Sequence, residues 1–402
     1  MHEDGSIIRA SIKKESRETV LHIVASKGHC DFMKKLLELL REDDLYLLDK
    51  KGNTAFCLAV AAGKVRVAKI MLEKDPLMAT LKCAEGWSPL RLATFRGHSK
   101  MAWFLYPKII EDLEQEERVA TFFICINRTD TSLYELALKM LLEYRELAEA
   151  RDTSGETAFH LLAGKPKAFR SAMLKCFLHI CLGKQLESPG LQVLKQLWKI
   201  VSEKDEKTVK GIFLTIPSKG KPSNALFIAA KCGNAQFLAE LIASDPALII
   251  ETDERDRNVF HIGAMYHQWS IFSLVDKLGA DEHSILSAQD DRDNTILHLA
   301  AKVAGPLQWD EMVGPAIRMK RDLKWFKDVT KVVPPDCLDK TNLEDKRPGD
   351  IFIEQHRALN DLLVNQKEMS WTTLLAIFAS SFGIVAALVG AANFVLQQIR
   401  SN

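Results

Sequence analysis

Four histidines sit at matching places in similar short stretches: His22 in TVLHIV, His160 in TAFHLL, His261 in NVFHIG and His298 in TILHLA. A histidine set among apolar residues on a helix is the raw material of a metal site or a general base. A metal site would need several such ligands converging within about 2 Å of one point. A general base would need an oriented partner within hydrogen-bond reach. The other cluster of this kind is CFLHIC, with Cys176, His179 and Cys181. Cys176 and His179 could share a helix face, but Cys181 falls away and no fourth ligand is evident, so core packing is expected. The chain carries no Gly-rich phosphate loop, His-Glu-x-x-His pair, nucleophile elbow or kinase signature. The acidic stretches EDLEQEE, from Glu111, and DERDR, from Asp253, lack the liganding pattern of a calcium loop. The first reads as a solvated helix end and the second as an exposed turn. No enzyme activity, metal or cofactor is therefore expected.

The elements that must position these side chains recur along the chain. Related stretches begin at Thr19, Thr54, Ser88, Thr121, Thr157, Asn224, Asn258 and Thr295, at intervals of 35, 34, 33, 36, 67, 34 and 37 residues. One interval is about twice the rest, and the others cluster near the ~33-residue period of the ankyrin repeat, which this chain resembles. The first residue of each stretch can cap a helix by accepting a backbone N–H. Pro89, after Ser88, suits a first helical position. Gly28, Gly63, Gly97 and Gly233 fall where a short helix must end in a left-handed turn. A second apolar helix follows, stopped at Asp75-Pro76 and Asp245-Pro246 because the residue before proline avoids helical angles. Histidines spaced a repeat or more apart, with packed helices ~10 Å from one another, cannot meet at one metal ion. The resemblance implies a structural role for His298 and its counterparts, bonding backbone groups around the turn.

Composition narrows the function classes. The 402 residues carry 54 Lys+Arg against 53 Asp+Glu, a balance that gives no sign of a nucleic-acid partner. An apolar content of 47% excludes wholesale disorder. The eight cysteines are scattered, without a CxxC pair, and read as small core residues in a reducing compartment. The opening MHEDGSIIRASIKKESRE has no apolar core of a secretory signal. The sequon Asn127-Arg128-Thr129 is then expected to stay unglycosylated.

The expected fold is all-α: a solenoid of about eight ankyrin repeats with one helical insert, followed by a C-terminal transmembrane helix. Residues 1–16 form a tail, 17–166 repeats one to five, and 167–222 a helical insert or decayed repeat. Residues 223–333 hold repeats six to eight with a terminal capping helix, whose apolar stripe is Met319, Leu323, Phe326 and Val329. A competing reading lays its lysines against anionic lipid. Residues 334–368 read as a polar linker with one short helix, and 369–402 as a hydrophobic tail. From Met369 to Ile399 no residue is charged. A helix over 371–396 would be ~39 Å long, against a hydrocarbon core of ~30 Å. Trp371 would lie at one interface, and the stripe Ala379, Gly383, Ala387 could let two such helices pair as a homo-oligomer.

Four stretches, ALFIAAKCGNAQFLAELI, RNVFHIGAMYHQWSIFSLV, DNTILHLAAKVAGP and GPAIRMKRDLKWFKDV, resemble plant ankyrin-repeat membrane proteins that end in a Pro-Gly-Gly (PGG) domain. The chain has no Pro-Gly-Gly and one hydrophobic segment where that family generally has several. The resemblance implies a membrane-tethered signalling scaffold in stress or defence responses, at the plasma membrane or endoplasmic reticulum, with its repeats in the cytosol. Protein partners would bind the concave face, where Trp87 is the candidate anchor with Arg91 and Arg96 beside it. The alternative for Trp87 is packing on its own turn. The alternatives for the whole chain are a soluble cytosolic or nuclear adaptor, or a channel or transport subunit.

Overall fold

The caps inferred from sequence organise the first helices. In the computed structural model, residues 17–128, 130–169, 187–214, 223–303 and 315–357 are described. The chain divides into two units, Met1–Leu162 with Lys167–Pro222, and Ala163–Pro166 with Ser223–Asn402. Among the described residues all regular structure is helical, with two isolated bridges at turns, Arg151 to Thr157 and Gln289 to Thr295.

The first unit alternates short inner and longer outer helices. The inner ones are α1 (Val20–Lys27), α3 (Ala55–Ala61) and α5 (Pro89–Phe95), and each is followed by an outer helix: α2 (Cys30–Leu39), α4 (Val65–Lys74) and α6 (Ser99–Ile109). Thr54 accepts from the Cys57 amide and Ser88 from the Arg91 amide, as capping residues should. Gly63 ends α3 at φ 67° and could not carry a side chain, because a Cβ there would lie 2.8 Å from His98 Nδ1. Asp75 stops α4 by accepting the Leu77 amide beyond Pro76. The apolar side chains between the two helix rows, such as Phe56, Val67, Met71 and Met101, are fully buried.

One expectation about this unit is corrected. Thr121 caps nothing. Helix α7 (Gln115–Asn127) starts earlier, with Glu114 at its cap, and Thr121 is buried in its middle. Glu116 and Glu117 in its first turn suit the positive end of the helix dipole. Over 167–222, read as a helical insert or a decayed repeat, the described helices favour the repeat. Helix α8 (Thr131–Glu143) follows α7, and α9 (Ala158–Ala163) opens the fifth repeat. Helix α10 (Pro189–Val201) then packs on α8 as α4 packs on α2 and α6 on α4, so it serves as the outer helix of that repeat. Gly190 permits this, since a Cβ there would meet the Ala168 carbonyl oxygen at 2.7 Å. Helix α11 (Glu206–Phe213) closes the unit by setting Phe213 against Phe159 and Trp198. Arg151 clamps its end by donating to the carbonyls of Gly211 and Leu214 at 2.7 and 2.8 Å.

The second unit repeats the pattern with α12 (Ala225–Cys232), α13 (Ala235–Ser244), α14 (Val259–Met265), a 3-10 segment Trp269–Lys277, and α15 (Glu282–Leu286). Helices α16 (Ile296–Ala300) and α17 (Pro315–Thr330) form the eighth repeat. The stripe of α17 is buried as expected, but α17 is not the last described element. Residues 334–357, read as part of a polar linker with one short helix, do hold such a helix, and it packs on the fold. They form a further turn, Asn342–Lys346, and helix α18 (Pro348–Gln355). The turn pairs with the preceding one through Leu343 N–H to the Arg292 carbonyl at 3.0 Å. Phe352 is buried against Phe326 of α17, and His356 lies 3.3 Å from the buried Asp322. Sequence reading missed this unit because Arg347 replaces the usual Thr, Ser or Asn cap. Asp350 compensates by accepting the Arg347 amide at 3.0 Å.

The cysteine reading is also corrected. Cys30, Cys125, Cys232 and Cys337 are free thiols, but Cys57 and Cys83 are joined as a disulfide across Cα atoms 5.7 Å apart. Among the described residues no helix is long and apolar enough to cross a membrane. The hydrophobic stretch 369–402, with the proposed span 371–396, lies outside the described residues, as do Cys176, His179 and Cys181.

Candidate interaction groove

Four of the five-residue turns that join described repeats are built by an acidic clamp. Asp49 Oδ1 accepts the amides of Lys51 and Asn53, both at 2.8 Å. Asp152, Asp253 and Asp290 do the same for Ser154 and Glu156, Arg255 and Arg257, and Arg292 and Asn294. The stretch DERDR is thus a turn clamp, not a ligand set.

The histidines brace these turns. Nδ1 of His298 accepts the Thr295 amide at 3.0 Å and lies 2.8 Å from its hydroxyl, while Nε2 donates to the Lys346 carbonyl in the next turn at 3.0 Å. His22 makes the same set with Thr19 and the Asn53 carbonyl. Nδ1 accepting an amide while Nε2 faces a carbonyl requires a neutral ring with its proton on Nε2. Burial accordingly pushes the pKa of His298 below its usual value. Nδ1 of His160 and of His261 accepts the Thr157 and Asn258 amides in the same way, at 3.1 and 3.4 Å, but Nε2 of His261 is buried without a hydrogen-bond partner. Among the described residues no three His, Cys, Asp or Glu side chains group closely enough to hold a metal.

Between the turns and the inner helices of the first three repeats lies a groove of about 570 Å3. Its floor is apolar, with Leu58, Ala61, Leu92 and Phe95, and its rim carries Lys50, Lys51 and Arg96 against Glu18 and Glu85. Trp87 stands in its wall. Its ring meets Phe95 edge to face at 5.0 Å, and the Arg91 guanidinium lies 4.6 Å over it. Trp87 packs on its own repeat and also lines the groove. Phe95 remains 42% exposed, which leaves a large aromatic face open on the floor.

The three sequence-predicted positions part company here. Trp87 and Arg96 line the groove. Arg91 is committed inward, paired with Glu117 Oε1 at 2.7 Å, while Glu117 Oε2 takes the Ser88 amide at 3.1 Å. Glu117 belongs to the run expected to be solvated, yet it is buried. Phe95 and Arg128, whose guanidinium lies 5.5 Å over the Phe95 ring, were not singled out from sequence. Phe95 follows the inner-helix positions Leu92 and Arg91 at helical spacing, which is the signal that could have found it.

Comparison with known proteins agrees with this geometry over part of the chain. Residues 21–117 match the family profile described as ankyrin repeats, in three copies. The BTB/POZ domain-containing protein 1 of Schizosaccharomyces pombe is 32% identical over 91 residues, 22% of this chain and 7% of that protein. The chain thus spans only a small part of that relative's length. A chain from the solved structure of the Bd0816 predatory endopeptidase of Bdellovibrio bacteriovorus in complex with immunity protein Bd3460 is 18% identical at a TM-score of 0.30. That alignment covers 48% of this chain and 98% of the other. Ankyrin repeats over 21–117 suggest a protein-interaction role.

Proposed function

We propose that this protein is a non-enzymatic interaction scaffold that grips a segment of a protein partner in the groove bounded by Trp87, Phe95 and Arg96. The observation that carries this reading is the half-exposed Phe95 ring on the floor of a groove whose rim is charged. An exposed aromatic within a polar rim is the usual composition of a protein-binding patch. Phe95→Ala combined with Arg96→Glu should weaken binding of a native partner at least tenfold and leave the thermal midpoint nearly unchanged. Unchanged binding by a folded variant would contradict the reading.

We further propose that the scaffold is held at a membrane by residues 371–396, with the repeats on the cytosolic side. Support comes from sequence alone: no residue from Met369 to Ile399 is charged. The resemblance to plant PGG-type proteins supports a place in stress or defence signalling. Under alkaline carbonate extraction the full chain should stay in the membrane pellet, and a chain ending at Glu368 should be released. Release of both would remove the tether from the account.

A further inference from the structure

The Cys57–Cys83 bond occupies a place where several other repeats use two different weak interactions. Cys57 stands at the helix position held by His22, His160, His261 and His298. His22 and His298 reach forward from that position to a carbonyl of the next turn, at 3.2 and 3.0 Å. Cys83 stands at the turn position held by Asp49, Asp152, Asp253 and Asp290. The backbone path shows the equivalence: Cys83 N–H donates to the Trp87 carbonyl at 2.7 Å, as Asp49 N–H donates to that of Asn53 at 2.9 Å. A cysteine side chain cannot accept the two amides that each aspartate clamps. The turn Cys83–Trp87 therefore has neither the carboxylate clamp nor the histidine brace. It is also the turn with two successive left-handed residues, Glu85 at φ 66° and Gly86 at φ 74°. From outside the turn, the Ala84 amide donates to Asn53 Oδ1 at 2.9 Å.

We propose that the Cys57–Cys83 disulfide is a reversible redox clamp on this turn, and that reduction loosens the wall of the groove that carries Trp87. Only the effect on partner binding rests on the groove's proposed function; the clamp itself does not. Cys83 lines the groove, whereas Cys57 is fully enclosed, so attack comes from the groove side. A thiolate of a protein or small-molecule dithiol attacks the Cys83 sulfur, and the sulfur–sulfur bond breaks with its electron pair on Cys57, which takes up a proton. The second thiol of the reductant then attacks the mixed disulfide and releases Cys83 as a thiol. The protein gains two thiols and the dithiol becomes a disulfide, so atoms and electrons balance. On the reducing side of a membrane such a bond would be a transient, sensing one rather than a permanent staple.

The test uses the full chain, equilibrated with oxidised or reduced dithiothreitol. Cys57 and Cys83 should resist alkylation in the oxidised protein and react after reduction. Hydrogen exchange at the amides of residues 84–88 should speed up at least tenfold on reduction, with the Asp49–Asn53 turn unchanged as an internal reference. A Cys57→Ser, Cys83→Ser variant should show the fast exchange in both conditions. Alkylation of both cysteines under oxidising conditions would overturn the proposal, and so would equal exchange at 84–88 in the two states. If Phe95→Ala leaves partner binding intact while the exchange difference is present, the groove reading fails and the clamp stands.

Discussion

His261 carries the clearest pH signature at the scale of single residues. Burial pulls its pKa down from 6.5 to about 4. The unfolded chain therefore takes up a proton on this ring before the folded chain does. The stability that neutral His261 contributes is full above about 6.5 and is lost as the pH falls toward about 4. A shift of that size corresponds to about 3 kcal/mol over the whole window. Unfolding free energy from urea titrations should fall between pH 7 and 5, and His261→Gln should flatten that slope; parallel slopes would clear His261 of the effect. The role of these rings was legible in the sequence because Thr or Asn stands three residues before each of them. The partner of Arg91 was not, because Glu117 lies 26 positions away on a helix whose start was misplaced.

Turn chemistry decided what could be read at the scale of elements. Repeats opening on Thr, Ser or Asn and closing on glycine were found where expected. Those that replaced the capping residue were missed or misplaced, whereas the repeat at Asn258, with His267 at φ 52° in place of the glycine, was found. Helix α7 begins without a preceding turn, and the last unit substitutes Arg347 for the cap. That last unit is structural. Burial works against the charge of Asp322, yet bonds from His356 and Arg321 outweigh it and hold its pKa below the ordinary carboxylate range. Both nitrogens of His356 face acceptors, the Phe352 carbonyl at 2.8 Å and Asp322 at 3.3 Å. Phe352→Ala should therefore cost about 3 kcal/mol, read as a lower urea midpoint at unchanged slope. A chain ending at Lys340 should be less stable still than one ending at Arg357. Equal stability of those two would mean that residues 341–357 add nothing to the fold.

The whole molecule combines what periodicity can reveal with what it cannot. Capping residues and apolar spacing repeat along the chain, so inner and outer helices were legible. The disulfide was not, because Cys57 and Cys83 are 26 residues apart with no CxxC signature, and only superposition of repeats shows that they fill the His and Asp positions. The groove was half legible: Trp87 and Arg96 stood out by residue type, but the exposure of Phe95 depends on how neighbouring inner helices are set. Its function as a partner-binding surface is the central claim. The most direct measurement places a photo-crosslinking amino acid at position 96, and separately at Lys69 on the exposed side of α4, in full-length protein within its native cells. The account predicts a discrete crosslinked protein from position 96 that is absent from position 69 and is lost when Phe95→Ala is added. The same products from both positions, or a product from position 96 that Phe95→Ala does not diminish, would contradict it.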